Sequence, residues 1–173
     1  VYSFEPSVFN LEILSRNIYL NQLQNDITII PLPLSENLKK NSLNMSNTEW
    51  GGALSTFGEN YGHDGKKIFK KFQFSTIGIS IDETVKLLKI PIPKYLKIDV
   101  DGIEQLILKG AKKNLLQIKS ILIEVNDDFI EQRDTINKIL KNAGFKLREK
   151  KHSEMFEGNK SFGNVYNQIW DRT

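Results

Sequence analysis

Asp99, Asp101 and Glu104 bracket Gly102 where an apolar run, Tyr95-Leu96-Lys97-Ile98, gives way to the amphipathic segment Gln105-Leu106-Ile107-Leu108-Lys109-Gly110-Ala111. Side chains alternate along a strand, so Asp99 and Asp101 point the same way just past its end. The glycine lets the backbone turn, and the third carboxylate opens the helix that follows. Acids this close repel one another and favour a proton donor, a ligand hydroxyl or a cation between them. Two chemistries suit such a group: proton removal by a carboxylate, and a divalent ion held by Asp99, Asp101 and Glu104. The structural alternative is a solvated acidic turn capping the helix near Ile103, because acids are favoured at helix N-termini in any case.

A second acid occupies a comparable place early in the chain. Glu5 follows the run Val1-Tyr2-Ser3-Phe4 and precedes Pro6. A carboxylate at a strand end is how doubly wound nucleotide-binding sheets hold the hydroxyls of a ribose. Alone, a Glu-Pro pair is simply a turn. Together with the cluster after Ile98 it sets acids at one edge of two strands, one suited to a nucleotide-like cofactor and the other to the reacting substrate. Glu124, near the end of a later apolar run, and His63, in a long polar stretch, are reserve candidates for a base.

The elements that must position these groups are legible from periodicity. Val1 to Phe4 reads as a strand stopped by Pro6, and a helix follows with Ser7 as N-cap and Val8, Leu11, Leu14 and Ile18 as its buried stripe. Ile27 to Leu34 is a strand made irregular by Pro31 and Pro33. From Ser35 to Lys71 the pattern dissolves into Asn, Ser, Gly and Lys around Trp50, Phe57, Tyr61 and His63, and a loop of that length is expected to serve as a lid or substrate wall. Strands are expected at Phe72 to Ile79, Tyr95 to Ile98, Lys119 to Val125, Phe145 to Lys151 and Val165 to Trp170. Helices are expected at Ile81 to Leu88, Ile103 to Lys112 and around Phe129 to Ala143, the last closed by Gly144. Strands alternating with helices imply an α/β domain with a mostly parallel, covered sheet.

Composition narrows the classes further. A chain of 173 residues fits one domain, and 39% hydrophobic content argues for a folded core. The 24 basic and 21 acidic residues are interspersed, which speaks against a nucleic-acid-binding arm. With no cysteine there is neither a disulfide nor a thiolate nucleophile nor a thiolate metal site. No run approaches the ~18 apolar residues of a membrane span, and no signal core is evident, so a soluble, cytoplasmic protein is expected.

Val1-Tyr2-Ser3-Phe4-Glu5-Pro6, followed by Leu14, Asn17-Ile18 and Leu20-Asn21, resembles the second-strand signature of the FkbM-type S-adenosylmethionine-dependent methyltransferases. Ser80-Ile81-Asp82-Glu83, then Leu96 to Glu104 and Leu108-Lys109-Gly110-Ala111, is similar to that family's central motif. Asp101 stands where members most often carry glutamate, which keeps the charge and shortens the reach. The resemblance implies a doubly wound, mostly parallel class I methyltransferase (Rossmann-like) sheet, here N-terminally truncated: the family's first strand and glycine-rich turn would precede Val1. It implies a single partial domain over 1–173, with 35–71 as a lid-like insertion.

The implied activity is methyl transfer from S-adenosyl-L-methionine to a hydroxyl oxygen of a sugar or other small molecule. By that carry-over Glu5, with Pro6, would hold the cofactor ribose, and Leu34-Ser35 would approach the adenine. Asp99, Asp101 and Glu104 would face the reacting methyl, with Glu124 in support and a divalent cation optional. Trp50, Tyr61 and His63 are candidates for contact with a small-molecule or glycan acceptor. These residues alone are expected to bind the cofactor weakly or not at all.

Rival readings use the same centre. Asp-Val-Asp-Gly after an apolar strand resembles the nucleophile loop of magnesium-dependent haloacid dehalogenase-type phosphatases. That family expects Thr or Val where Ile103 stands and places the loop near the domain start, whereas about a hundred residues come first here. An EF-hand loop fails on spacing, and nothing beyond Glu5 supports hydride transfer. The non-enzymatic reading is a truncated Rossmann-like module that presents 35–71 to a partner.

Overall fold

The computed structural model describes residues 1–152 and 162–172. The first parallel pair joins β1 (Tyr2–Phe4) to β2 (Thr28–Ile30) through helix α1 (Val8–Leu20). Ser7 caps α1 as expected, its hydroxyl accepting the Asn10 N–H. The predicted stripe is only partly buried: Ile18 is inside, but Val8 is 54% exposed. The expected strand to Leu34 is cut to three residues and resumes as a single parallel bridge between Leu34 and Ile79. Pro31 and Pro33, which carry no N–H, account for the break.

The stretch 35–71, read from sequence as a loop, holds two strands. β3 (Lys39–Met45) pairs antiparallel with β4 (Ser55–Phe57) on one side and with β5 (Phe72–Gly78) on the other. Its core-facing side chains, Leu43, Met45 and Phe57, are buried, with Phe74 packed against them. Alternation was masked because the residues between them are Asn, Ser and Lys, which carry little strand propensity.

Helix α2 (Ile81–Leu88) follows with a complete capping box, in which Ser80 and Glu83 satisfy each other's N–H groups. The last sheet has the order β6-β7-β9-β8, from β6 (Tyr95–Ile98), β7 (Ser120–Asn126), β8 (Phe145–His152) and β9 (Val165–Arg172). Helix α3 (Glu104–Lys109), a short 3-10 turn at Asn114–Gln117 and helix α4 (Ile130–Asn142) complete the chain. Ile121, Ile123 and Val125 of β7 are buried with Ile107 and Leu108 of α3, Ile136 and Leu140 of α4, and Trp170.

Only β1-β2 and β6-β7 are parallel among the named strand pairs, so the sheets are mixed rather than mostly parallel. Parallel neighbours need a crossover, which α1 and α3 supply. The link from β3 to β4 contains no helix, and such a link suits antiparallel pairing. The opposite face of β6 carries Tyr95, 72% exposed, and Lys97. Among the described residues β1 pairs only with β2 and β6 only with β7.

Candidate active site

Parallel strands place their carboxyl ends together, and the acids cluster there. Ile98 is in register with Ile123, so the next residues, Asp99 and Glu124, become neighbours on one face. Their mutual influence shows in Glu124: burial, then the charges of Asp99 and Asp101, push its carboxyl from the usual 4.5 up to about 7, against the opposing effect of Lys97. Asp99 itself is exposed and ion-paired with Lys97 at 2.8 Å.

Asp101 is held differently. Gly102 adopts φ +104°, and a side chain there would strike the Gly62 carbonyl group. The turn carries Asp101 inward, where its Oδ2 accepts the Ser55 N–H at 2.8 Å. Burial raises its pKa, opposed by the Ser55 and Leu54 N–H groups and the His63 charge, while Asp99 adds to the rise. Glu104 is 2% exposed. Its Oε2 accepts Gln132 Nε2 at 2.5 Å and its Oε1 the Gly102 N–H at 3.4 Å. Burial holds that carboxyl well above its ordinary range.

These placements correct the metal expectation. Asp99 is committed to Lys97, Asp101 to a backbone N–H, and Glu104 to Gln132 beneath the surface. Among the described residues no group of His, Asp or Glu is disposed to hold a metal ion.

Glu5 lies at the same edge. Its Oε1 accepts the Ser7 N–H at 2.7 Å, and Oε2 faces Asn10 Nδ2 at 3.5 Å. Burial raises its pKa, the Ser7 and Asn10 hydrogen bonds oppose this, and the charge of Asp101 adds to the rise. That coupling brings the ends of β1 and β6 into electrostatic range. Pro6 is half-buried in the turn between Glu5 and Ser7. Leu34 and Ser35 are spent on packing: the Ser35 N–H donates to Ile79 O, its hydroxyl to Asn37 O at 2.6 Å, and its carbonyl lies against Gly110.

Two of the three acceptor candidates reach this edge. The Tyr61 hydroxyl accepts from Gln105 Nε2 at 3.3 Å, its ring packs edge-on to Phe129, and burial pushes its pKa to about 12. The His63 ring stacks on Phe162 at 4.7 Å. Trp50 is 68% exposed on the link from β3 to β4. Surface depressions occur at Lys67 to Lys70 and between Asp82 and Asn114, and neither is lined by these acids.

Sequence reasoning missed Ser55, Gln132, Gln105 and Asn10. Ser55 contributes a peptide N–H, which any residue but proline has, so no residue-type signal exists. Gln132 sits on the inward face of α4, and a polar residue at a core position was the available clue.

An α/β domain with acids near the carboxyl ends of β1, β6 and β7 has the form of a methyltransferase-like fold. The chain belongs to the methyltransferase FkbM domain family, whose model matches residues 1–147. It is similar in structure to the crystal structure of Methyltransferase FkbM from Methylobacillus flagellatus KT, with a TM-score of 0.63 and 16% identity over 99% of this chain and 36% of that one. At that identity the likeness concerns the fold, and this chain spans about a third of that protein's length. No curated protein matches it. No helix among the described residues is long and apolar enough to cross a membrane.

Proposed function

We propose that the protein transfers a methyl group from S-adenosylmethionine to a hydroxyl oxygen of a sugar or another small molecule. The observation that carries this reading is the convergence of Glu5, Asp99, Asp101 and Glu124 from three strand ends on one edge. A cofactor with ribose hydroxyls and a positive sulfonium suits such a set of acceptors and negative charges. Asn10 Oδ1, on the residue that also faces Glu5, is buried without a hydrogen-bond partner among the described residues, a further acceptor in the same neighbourhood.

Glu5 would hold the ribose hydroxyls, since among the described residues only one of its oxygens makes a short bond. The cofactor supplies an activated methyl group. The chain's own work is alignment and proton removal. Glu124 is the group best matched to the second task, because a base with a pKa of about 7 is about half ionised at neutral pH and still holds a proton well once it accepts one. Burial, joined by the charges of Asp99 and Asp101, keeps Glu124 basic, and Tyr61 and His63 form the acceptor side of the edge. The phosphatase reading loses its basis in the family match and in an Asp99 paired with Lys97 rather than free to attack.

The test uses the protein at its natural length, labelled S-adenosylmethionine and a panel of hydroxyl-bearing acceptors. Label is expected on an acceptor oxygen. Glu5→Ala should weaken cofactor affinity, and Glu124→Gln should lower kcat by about a hundredfold with cofactor affinity retained. Absence of transfer, or unchanged affinity in Glu5→Ala, overturns the reading. Wild-type behaviour of Asp99→Ala in the host would favour the noncatalytic module.

A further inference from the structure

Two peptide N–H groups set the direction of a buried hydrogen-bond chain behind the acids. Asn126 N–H donates to Gln132 Oε1 at 3.3 Å, so the Gln132 amide turns its NH2 toward Glu104. Asp128 N–H donates to Asn126 Oδ1 at 3.0 Å, so the Asn126 amide turns its NH2 toward the His63 carbonyl, at 3.1 Å. A peptide N–H cannot accept, so flipping either amide would set donor against donor. Gln132 and Asn126 are both buried, where an unmade bond is costly.

The chain ends on two turns that touch. The Gly102 N–H is shared between the Val100 carbonyl at 3.1 Å and Glu104 Oε1 at 3.4 Å, and the Gly62–His63 backbone lies against Gly102. We infer that Gln132 is a positioning residue of the site, holding Glu104 behind the Gly102 turn and, through Asn126, pinning the Gly62–His63 rim over it. From α4 it thereby fixes two segments far apart in sequence, one ending in Asp101 and the other carrying Tyr61. Its effect on rate rests on the methyl-transfer reading, whereas its effect on the two turns does not.

Gln132→Met keeps length and apolar volume but supplies neither donor nor acceptor. Amide hydrogen exchange at Gly102 and Asn126 should quicken about tenfold or more, with the β3–β5 ladder unchanged. The kcat for methyl transfer should fall about tenfold with less than about a twofold change in cofactor affinity. Glu104→Gln combined with Gln132→Met should be no slower than the slower single variant, as expected of two groups acting as one unit.

Unchanged exchange at Gly102, or single effects that multiply in the double variant, overturns the inference. If Gln132→Met does not fold, Asn126→Asp takes its place: it sets a carboxylate oxygen against the His63 carbonyl and should speed exchange at Gly62 and Gly65. Unaltered exchange there also overturns the inference. Should the wild type transfer no methyl group while the exchange effects appear, the functional reading falls and the positioning role of Gln132 stands.

Discussion

The parallel strands and the antiparallel β3–β5 sheet contribute different things to one edge. β1, β6 and β7 supply charged side chains: Glu5, Asp99 with Asp101, and Glu124. The antiparallel sheet and the link between its strands β4 and β5 supply mostly backbone: the Ser55 N–H to Asp101, the Gly62 carbonyl against Gly102, and the His63 carbonyl to Asn126. Side-chain acids supply the charge, and backbone groups set where they sit. The difference teaches that 35–71 bears on these acids through the path of its backbone rather than through its residue types.

The sharpest way to break this contrast is Gly102→Val. A β-branched side chain at φ +104° is strained, and it would also collide with the Gly62 backbone. A loss of more than about 3 kcal/mol in urea unfolding is expected. A loss below about 1 kcal/mol would show that the two regions are not in firm contact.

Ser55 separates backbone from side chain directly. Ser55→Pro removes the N–H that Asp101 accepts and should cost about 1–3 kcal/mol, whereas Ser55→Ala keeps it and should be nearly neutral. Equal effects of the two, measured by thermal melting, would assign the role to the hydroxyl instead.

Glu124 tests the charged side of the comparison through pH. Its folded-state pKa lies above the ordinary 4.5, at about 7, so the folded protein retains a proton that the unfolded chain has already released between those values. The stability this contributes is present below about 4.5 and is lost as pH rises through about 7. Glu124→Gln should therefore be more stable than wild type near pH ~8 and show no such gain near pH ~4. Methyl transfer, if Glu124 is its base, should rise with pH through about 7 and then level off. A flat profile removes Glu124 from that role.

Smaller effects sharpen the picture. Lys97→Ala breaks an exposed ion pair and should change stability by less than about 1 kcal/mol. Because Lys97 holds the Glu124 carboxyl down, its loss should move the Glu124 titration upward, read by carboxyl carbon NMR. Trp50→Ala should leave the melting temperature within about 2 °C, given its exposure. A raised KM for the acceptor would then mark Trp50 as a contact, and an unchanged KM would remove it from the acceptor side.

Legibility followed the locality of the signal. The Ser7 cap and the αL glycine after α4 are short-range patterns, and each stands where the sequence placed it. The acids at the ends of β1, β6 and β7 were legible because strand ends and carboxylates both show in a single window. The antiparallel sheet was not, since Leu43, Met45 and Phe57 face the core from strands whose other residues are polar. The proposed metal site misled because proximity in sequence says nothing of partners: Lys97, Ser55 and Gln132 took the three acids one by one.

By itself the sequence determined the α/β alternation, the family motifs and the acids at the strand ends, because periodicity, capping and turn chemistry act over a few residues. Tertiary structure alone decided which carboxylates are exposed, which are bonded and which is poised near neutrality. Those properties depend on burial and on partners that lie 28 residues away for Glu104 and 46 for Asp101, distances over which no local pattern reaches.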